Sequence, residues 1–326
     1  RIIEIVNSKT VFSNNCNCTA SVSGTTAATV NRIVLSYAND KQVSSVKSAT
    51  AFSGNNFRSA VRVGSDFWGG GTASSVGTNG VQYLGTGTAT QVSSTITNVR
   101  VVQVFNNQLY FSTGSGSIGI HKVGTGLPKV AEQVSTLEIA VGGTSPSPYA
   151  FAFNSTNTIC YVADDRSNVA GGVKKYTNNG TAWVEAYTLN PATNIGTRSI
   201  TVDWSGLNPI IYAVGTDSKV YKIEDAGSSS SATVLATAPS NTAFRGIAFA
   251  PKPIPPTSVL NTEIQGYTIA NNTLNFYELP KSTIEIFTLT GTKAASFNPA
   301  KHIELNLAKG VYVLKFENRT SKIRIQ

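Results

Sequence analysis

An all-β fold is predicted, a β-propeller followed by a small Ig-like β-sandwich, and three observations predict it. The chain is rich in Thr, Ser, Asn, Gly and Val and only 13% charged, which favours pleated strands and turns over helices. No window carries a 3.6-residue apolar period. A strand-like segment returns five times, at starts separated by 42, 50, 48 and 47 residues. Four short strands per such interval is the spacing of a propeller blade.

The five recurring segments are Phe57–Val63, Val99–Phe105, Tyr149–Phe153, Thr197–Trp204 and Phe244–Ala250. After each of the first four a second strand is expected, at Phe67-Trp68, Gln108–Phe111, Ile159–Val162 and Ile210–Val214. A third is expected at Val81–Leu84, Ile118–Lys122, Gly172–Tyr176 and Lys219–Ile223. A fourth is placed at Thr90–Ser94, Glu132–Leu137, Trp183–Leu189 and Ala232–Thr237. One such sheet cannot bury both faces, so it must stack on its neighbours. Residues 1–50 read as the later strands of one more blade, through Ile2–Val6, Arg32–Tyr37 and Gln42–Lys47. Phe244–Ala250 reads as a first strand with no second, the pattern of ring closure. The expectation is a parent of six blades, seven being the alternative, whose earliest strands lie upstream of Arg1.

Ala250–Ser258 is the clearest linker, because its four closely spaced prolines favour extended polyproline II and forbid a continuing sheet. The domains are therefore 1–250, a linker at 251–258, and 259–326. In the last, strands are expected at Glu263–Ile269, Thr273–Glu278, Thr283–Leu289, Ile303–Leu307, Val311–Phe316 and Lys322–Ile325. Short strands between turn signals read as a sandwich. Val311–Phe316 is apolar on both faces, as a central strand would be.

The chain has no run long and apolar enough for a transmembrane helix. Met is absent and the first residue is Arg1, so a processed form is expected, its signal peptide already removed. The net charge of +9 comes from scattered Lys and Arg. A nucleic-acid footprint needs them clustered, so no nucleic-acid partner is expected. Cys16, Cys18 and Cys160 make an odd, low count, which argues against a disulfide framework. Cys160 reads as a small buried residue, and the Cys16–Cys18 pair lacks the further ligands a metal needs.

Residues that could carry chemistry are few. His121 would be the base of any triad in the larger domain, and no G-x-S-x-G elbow accompanies it. Asp164-Asp165-Arg166-Ser167-Asn168 offers oxygens to a hard cation but lacks the calcium-loop spacing. It reads first as a turn. Asp66, Asp203 and Asp217 recur near blade turns and could pair as a glycosidase couple at the channel. The Gly-rich stretches Gly69–Gly71, Gly85–Gly87 and Gly114–Gly116 read as hairpin turns, since none precedes a helix pattern. Trp68, Trp183 and Trp204 read as blade packing, with sugar stacking as the alternative. No catalytic, cofactor-binding or metal-binding residue is assigned.

Two resemblances follow. The tail runs Ile284–Lys293, then His302–Phe316 with Leu307-Ala-Lys-Gly-Val-Tyr312, then Ser321–Gln326. This resembles the C-terminal sorting domain (type A) of type IX secretion cargo: a strand with x-x-Gly, a Leu-x-x-Gly-x-Tyr strand, and a Lys-rich strand at the end. The matching positions are Gly291, Leu307, Lys309, Gly310, Tyr312, Lys322 and Gln326. The family's opening Tyr/Phe-Pro-Asn-Pro element has no counterpart in Thr257–Thr262. The resemblance implies export through the periplasm and across the outer membrane to the surface or medium. The partners it implies are the type IX translocon and outer-membrane sorting or shuttle proteins, binding 259–326.

Phe57–Val61, Thr95–Arg100, Asn107–Thr113, Val123–Pro128, Tyr161–Asp165 and Phe244–Pro251 look like a group of secreted bacterial β-propellers. That resemblance implies fold and secretion and carries no activity. The expected function is a secreted or cell-surface protein whose propeller binds or adheres, a glycan or surface polymer being its ligand. The alternative is an extracellular polymer- or glycan-acting enzyme using acidic residues at the propeller channel.

Overall fold

Tight turns set the ladder. Asn106 and Asn107 have φ of 46° and 59°, the left-handed pair that a two-residue hairpin turn demands. They fold Val99–Phe105 back onto Gln108–Thr113. The computed structural model describes residues 2–7, 22–37, 43–85, 88–250, 266–317 and 319–325. It divides into two compact units, Arg1–Lys252 and Pro253–Gln326, so the break falls at the predicted proline-rich stretch. No α-helix occurs among the described residues, and none is long and apolar enough to cross a membrane.

The first unit begins with a three-stranded antiparallel sheet of β1 (Ile2–Asn7), β2 (Arg32–Tyr37) and β3 (Val43–Ser48). Four sheets of four strands follow. They are β4 (Phe57–Val63), β5 (Asp66–Gly71), β6 (Gly80–Tyr83) and β7 (Thr90–Ser93); β8 (Val99–Phe105), β9 (Gln108–Thr113), β10 (Gly119–Val123) and β11 (Ser135–Ala140); β12 (Pro148–Phe153), β13 (Ile159–Asp164), β14 (Gly172–Asn178) and β15 (Trp183–Leu189); and β16 (Thr197–Asp203), β17 (Ile210–Gly215), β18 (Lys219–Glu224) and β19 (Ala232–Thr237). Every sheet is an antiparallel meander in chain order. The first strand of each lies beside the first strand of the next, β1 by β4, β4 by β8, β8 by β12 and β12 by β16. That is the blade arrangement of a propeller.

The cores lie between sheets. Tyr161, Ala163 and Val173 of one sheet pack with Ile200, Ile211 and Ile223 of the next. Phe151, Phe153 and Val162 pack with Tyr110, Ile120 and Ile139, and Trp68, Val81 and Val92 with Val102, Leu109 and Phe111. Each buried Val, Leu, Ile or Phe contributes about 1.5–3 kcal/mol on burial, so stacking against a neighbour stabilises each sheet.

Four expectations are corrected. Gly69, Gly70 and Gly71 lie inside β5, because the neighbouring sheet needs the room. A Cβ on Gly70 would sit 2.5 Å from Val99 and 2.8 Å from Val102. The fourth strand of the second four-stranded sheet starts at Ser135 rather than Glu132, since Glu132 is left-handed at φ 65°. Phe244–Ala250 forms no ladder among the described residues. β1 takes the first-strand place of its sheet instead of a later one.

The second unit contains β20 (Tyr267–Ala270), β21 (Thr273–Phe276), β22 (Ile284–Thr288), β23 (Lys293–Phe297), β24 (His302–Glu304), β25 (Gly310–Phe316) and β26 (Arg319–Ile325). One sheet runs β20-β21-β24 and the other β23-β22-β25-β26. Leu274, Phe276 and Ile303 from the first meet Ile284, Ile286, Leu314, Phe316, Ile323 and Ile325 from the second in one core. β25 is interior, as its two apolar faces predict.

Candidate functional site

The same irregularity marks the first strand of every four-stranded sheet. Register breaks between Phe57 and Ser59 in β4, Val99 and Val102 in β8, Pro148 and Phe151 in β12, and Thr197 and Ser199 in β16. A bulge leaves a residue outside the ladder and re-aims its side chain. The second residues of these strands, all within the break, are Arg58, Arg100, Tyr149 and Arg198. Arg245 holds the same place in Phe244–Ala250.

Four of these side chains, Arg58, Arg100, Tyr149 and Arg198, line one rim of contacts at the starts of the first strands. The Arg58 guanidinium donates to Asn98 Oδ1 and, at 3.3 Å, to the Val99 carbonyl. Arg100 Nη1 donates to Ser147 Oγ at 2.6 Å and to the Pro148 carbonyl at 3.3 Å. Its Cζ lies 4.4 Å from the centre of the Tyr149 ring. Gly114 makes space for it, since a Cβ there would sit 2.4 Å from that carbon. Ser147 Oγ donates onward to Asp165 Oδ1, and Arg198 Nε donates to Asp165 Oδ2 at 3.0 Å. The chain therefore crosses three sheets.

The rim is cationic. Burial pulls the Arg58 guanidinium below its usual range; Tyr149 opposes this and the Arg100 charge adds to it. Asp165 partners Arg198. Among the described residues no carboxylate pairs with Arg58, Arg100 or Arg245. The arrangement can hold an anion through forked, charge-assisted hydrogen bonds.

The acidic residues singled out in the sequence serve packing. Asp164 accepts from Arg166 Nε and Nη2, both at 2.8 Å, and is fully buried. The 164–168 loop is thus an internal ion pair. Asp66 accepts from the Tyr83 hydroxyl at 2.7 Å and pairs with Lys129 at 2.6 Å. Asp217 accepts from the Tyr221 hydroxyl at 2.7 Å and pairs with Lys219 at 3.1 Å. Asp203 accepts from the Ser205 amide at the far end of β16. Asp66, Asp217 and Asp203 thus accept from different partners.

His121 is buried, with Nε2 2.6 Å from the Ser117 carbonyl and its ring stacked on Phe111. Burial lowers its pKa from the ordinary histidine value, against the opposing hydrogen bond with Ser117. Cys160 is buried and its thiol pushed well up. Cys16 and Cys18 lie outside the described residues. Trp68 is fully buried and donates to the Pro128 carbonyl at 2.7 Å, and Trp204 stacks on Tyr161. Among the described residues no group of three His, Cys, Asp or Glu could hold a metal.

The tail positions divide into two kinds. Gly291 takes φ 86° in the turn before β23. Leu307 packs on the core. The Tyr312 hydroxyl donates to the Ala308 carbonyl at 2.9 Å, and its ring lies 3.4 Å from where a Gly310 Cβ would be. These residues build a corner. Lys309 and Lys322 are exposed, with no ion-pair partner among the described residues. Gln326 lies outside the described residues.

The arginine rim was missed by the sequence reading. Its signal was present, an Arg in the second place of four recurring segments, but each was read only as strand.

No protein-family model matches the chain, and no curated protein matches it. The solved structures it resembles are β-propeller folds. A proposed 6-phosphogluconolactonase from Bacteroides uniformis is 13% identical, with 92% of this chain and 83% of that chain covered and a TM-score of 0.45. The periplasmic gluconolactonase of Pseudomonas aeruginosa is 10% identical, with 83% and 77% covered and a TM-score of 0.40. A computationally designed protein is 12% identical, with 90% and 80% covered and a TM-score of 0.37. Likeness this low says nothing of activity, and the blade arrangement rests on strand order.

Proposed function

We propose that the chain is a type IX secretion cargo, with a sorting module in its second unit and a cell-surface or extracellular binding module in its first. The observation that carries the sorting half is the order of the tail. The Leu307–Tyr312 corner leads into β25 and then into β26, which lies at the edge of its sheet. Along it Ser321, Ile323 and Ile325 face the core while Lys322 and Arg324 are exposed. An edge strand offers unpaired backbone groups to a partner's strand, and its exposed cations suit an acidic receptor. The two sheets enclosing one core are what an Ig-like sandwich requires. The partners in this reading are the translocon and the outer-membrane sorting proteins.

The first unit is then five blades plus Phe244–Ala250 as the inner strand of a sixth. Its binding role is supported by Arg58 and Arg100, which have no carboxylate partner among the described residues. The enzyme alternative has less support, since the acids it would use are held in separate pairings. The test of the sorting half is truncation. In a bacterium with a type IX machine, the full chain behind a signal peptide is expected at the surface or in the medium. A chain lacking 259–326 is expected to stay in the periplasm, and its continued export would sink the reading.

A further inference from the structure

The rim described above joins three features that nothing in the fold requires together. Arg58 and Arg100 are half-buried like charges on neighbouring first strands, and each donates only to neutral partners, Asn98, Val99, Ser147 and Pro148. The Arg100 guanidinium lies over the Tyr149 ring. The position recurs as Arg198 and Arg245, so the motif is built into the repeat. Asp165 answers Arg198, but holding Arg58 and Arg100 close together with no carboxylate paired to either costs free energy that a bound anion would recover.

The neighbouring groups narrow the ligand. An amide, a hydroxyl and an aromatic ring adjoin the two guanidinium groups, the set that meets sugar hydroxyls and ring faces. A nucleic acid would instead need a longer track of phosphate contacts.

We propose that this rim binds an acidic saccharide, with Arg58 and Arg100 forking onto its carboxylate or sulfate group and Asn98, Ser147 and Tyr149 beside its sugar. This rests on the binding-module half of the reading above and is independent of export.

The test uses the purified full chain and calorimetric titration with an oligogalacturonate, a heparin-derived hexasaccharide, cellohexaose and inorganic sulfate. One of the two acidic oligosaccharides is expected to bind at least about tenfold more tightly than cellohexaose. The paired change R58Q/R100Q is expected to weaken it by about tenfold or more. R58K/R100K keeps the charge and loses the fork, and is expected to weaken it by a smaller factor. The control K122Q/K222Q removes the same charge from other strands and is expected to leave binding unchanged.

Because Arg58 also ties two sheets together, the wild-type chain supplies a second measurement. The acidic saccharide should protect Arg58 and Arg100 from phenylglyoxal, read by mass spectrometry, while exposed Arg319 reacts as before. Unprotected Arg58 and Arg100, undiminished binding by R58Q/R100Q, or an equal loss in K122Q/K222Q would each overturn the proposal. Inorganic sulfate protecting as well as the oligosaccharide at equal concentration would overturn the saccharide assignment. Binding that persists in a chain that fails to be exported would leave this inference standing while the sorting reading falls.

Discussion

Asp225 shows how much a single side chain can hold between two sheets. It follows β18, its side chain is fully buried, and it accepts from three groups of the preceding sheet. These are the Tyr161 hydroxyl, the Tyr187 hydroxyl at 2.7 Å and Lys175 Nζ at 2.8 Å. Lys175 also lies over the rings of Tyr161 and Tyr187. Burial pushes the Asp225 carboxyl up, but the hydrogen bonds from Lys175, Tyr161 and Tyr187 outweigh it and leave it below the ordinary range. Its folded pKa is therefore below its unfolded one. The stability it contributes is full above about pH 4 and is lost as pH falls through the folded value. Asp225→Asn leaves Lys175 without its counter-ion and is expected to cost about 3 kcal/mol at pH 7. Tyr161→Phe is expected to cost about 1–2 kcal/mol. Urea melts of both variants at pH 7 and pH 3 check this. The Asp225→Asn loss should shrink at pH 3, and a loss equal at both would contradict the assignment. None of this was legible in the sequence, because the partners come from strands far apart in the chain. The tail corner was legible, since Leu307, Gly310 and Tyr312 act within one turn of chain.

At the scale of strands, the first strand of each sheet is the organising element. Ser59 Oγ accepts the Val102 amide at 2.9 Å, and Ser199 Oγ accepts the Ile247 amide at 3.1 Å. Both are third-position serines after an Arg; the first latches the next first strand and the second latches the segment Phe244–Ala250. The second latch is what ties Phe244–Ala250 to β16, since that segment has no ladder of its own. Ser199→Ala is expected to cost about 1 kcal/mol and to raise amide exchange at Ile247 while the amides of β17 and β18 keep their protection. Unchanged exchange at Ile247 would remove the latch. Strands with clear alternation or β-branched runs were found where predicted, as in β4, β8 and β15. β23 was missed because Lys293-Ala-Ala-Ser-Phe297 has too little apolar contrast to show a period. Gly69–Gly71 was misread because glycine marks both turns and close approaches, and only the neighbouring Val99 and Val102 decide between them.

At the scale of the whole chain, the split into two compact units falls among the prolines of 250–258, and composition, the absent helical period and the recurring segment together pointed to an all-β fold. What each unit does was less legible. The tail speaks through a local motif, whereas the rim of the first unit is assembled from residues roughly one repeat apart. Only the folded blades bring Arg100 and Arg198 into one chain of hydrogen bonds through Ser147 and Asp165, with Arg58 bonded to Asn98 and Val99 beside it. The account's central claim is that the second unit by itself directs export. Its most direct measurement is transfer of residues 253–326 to the C-terminus of a fluorescent protein carrying a periplasmic signal peptide, in a bacterium with a type IX machine and in its translocon-deficient counterpart. Surface or medium fluorescence in the first strain and periplasmic retention in the second is the predicted result. Retention of the fusion in the periplasm of both strains, with the fusion intact, would contradict it.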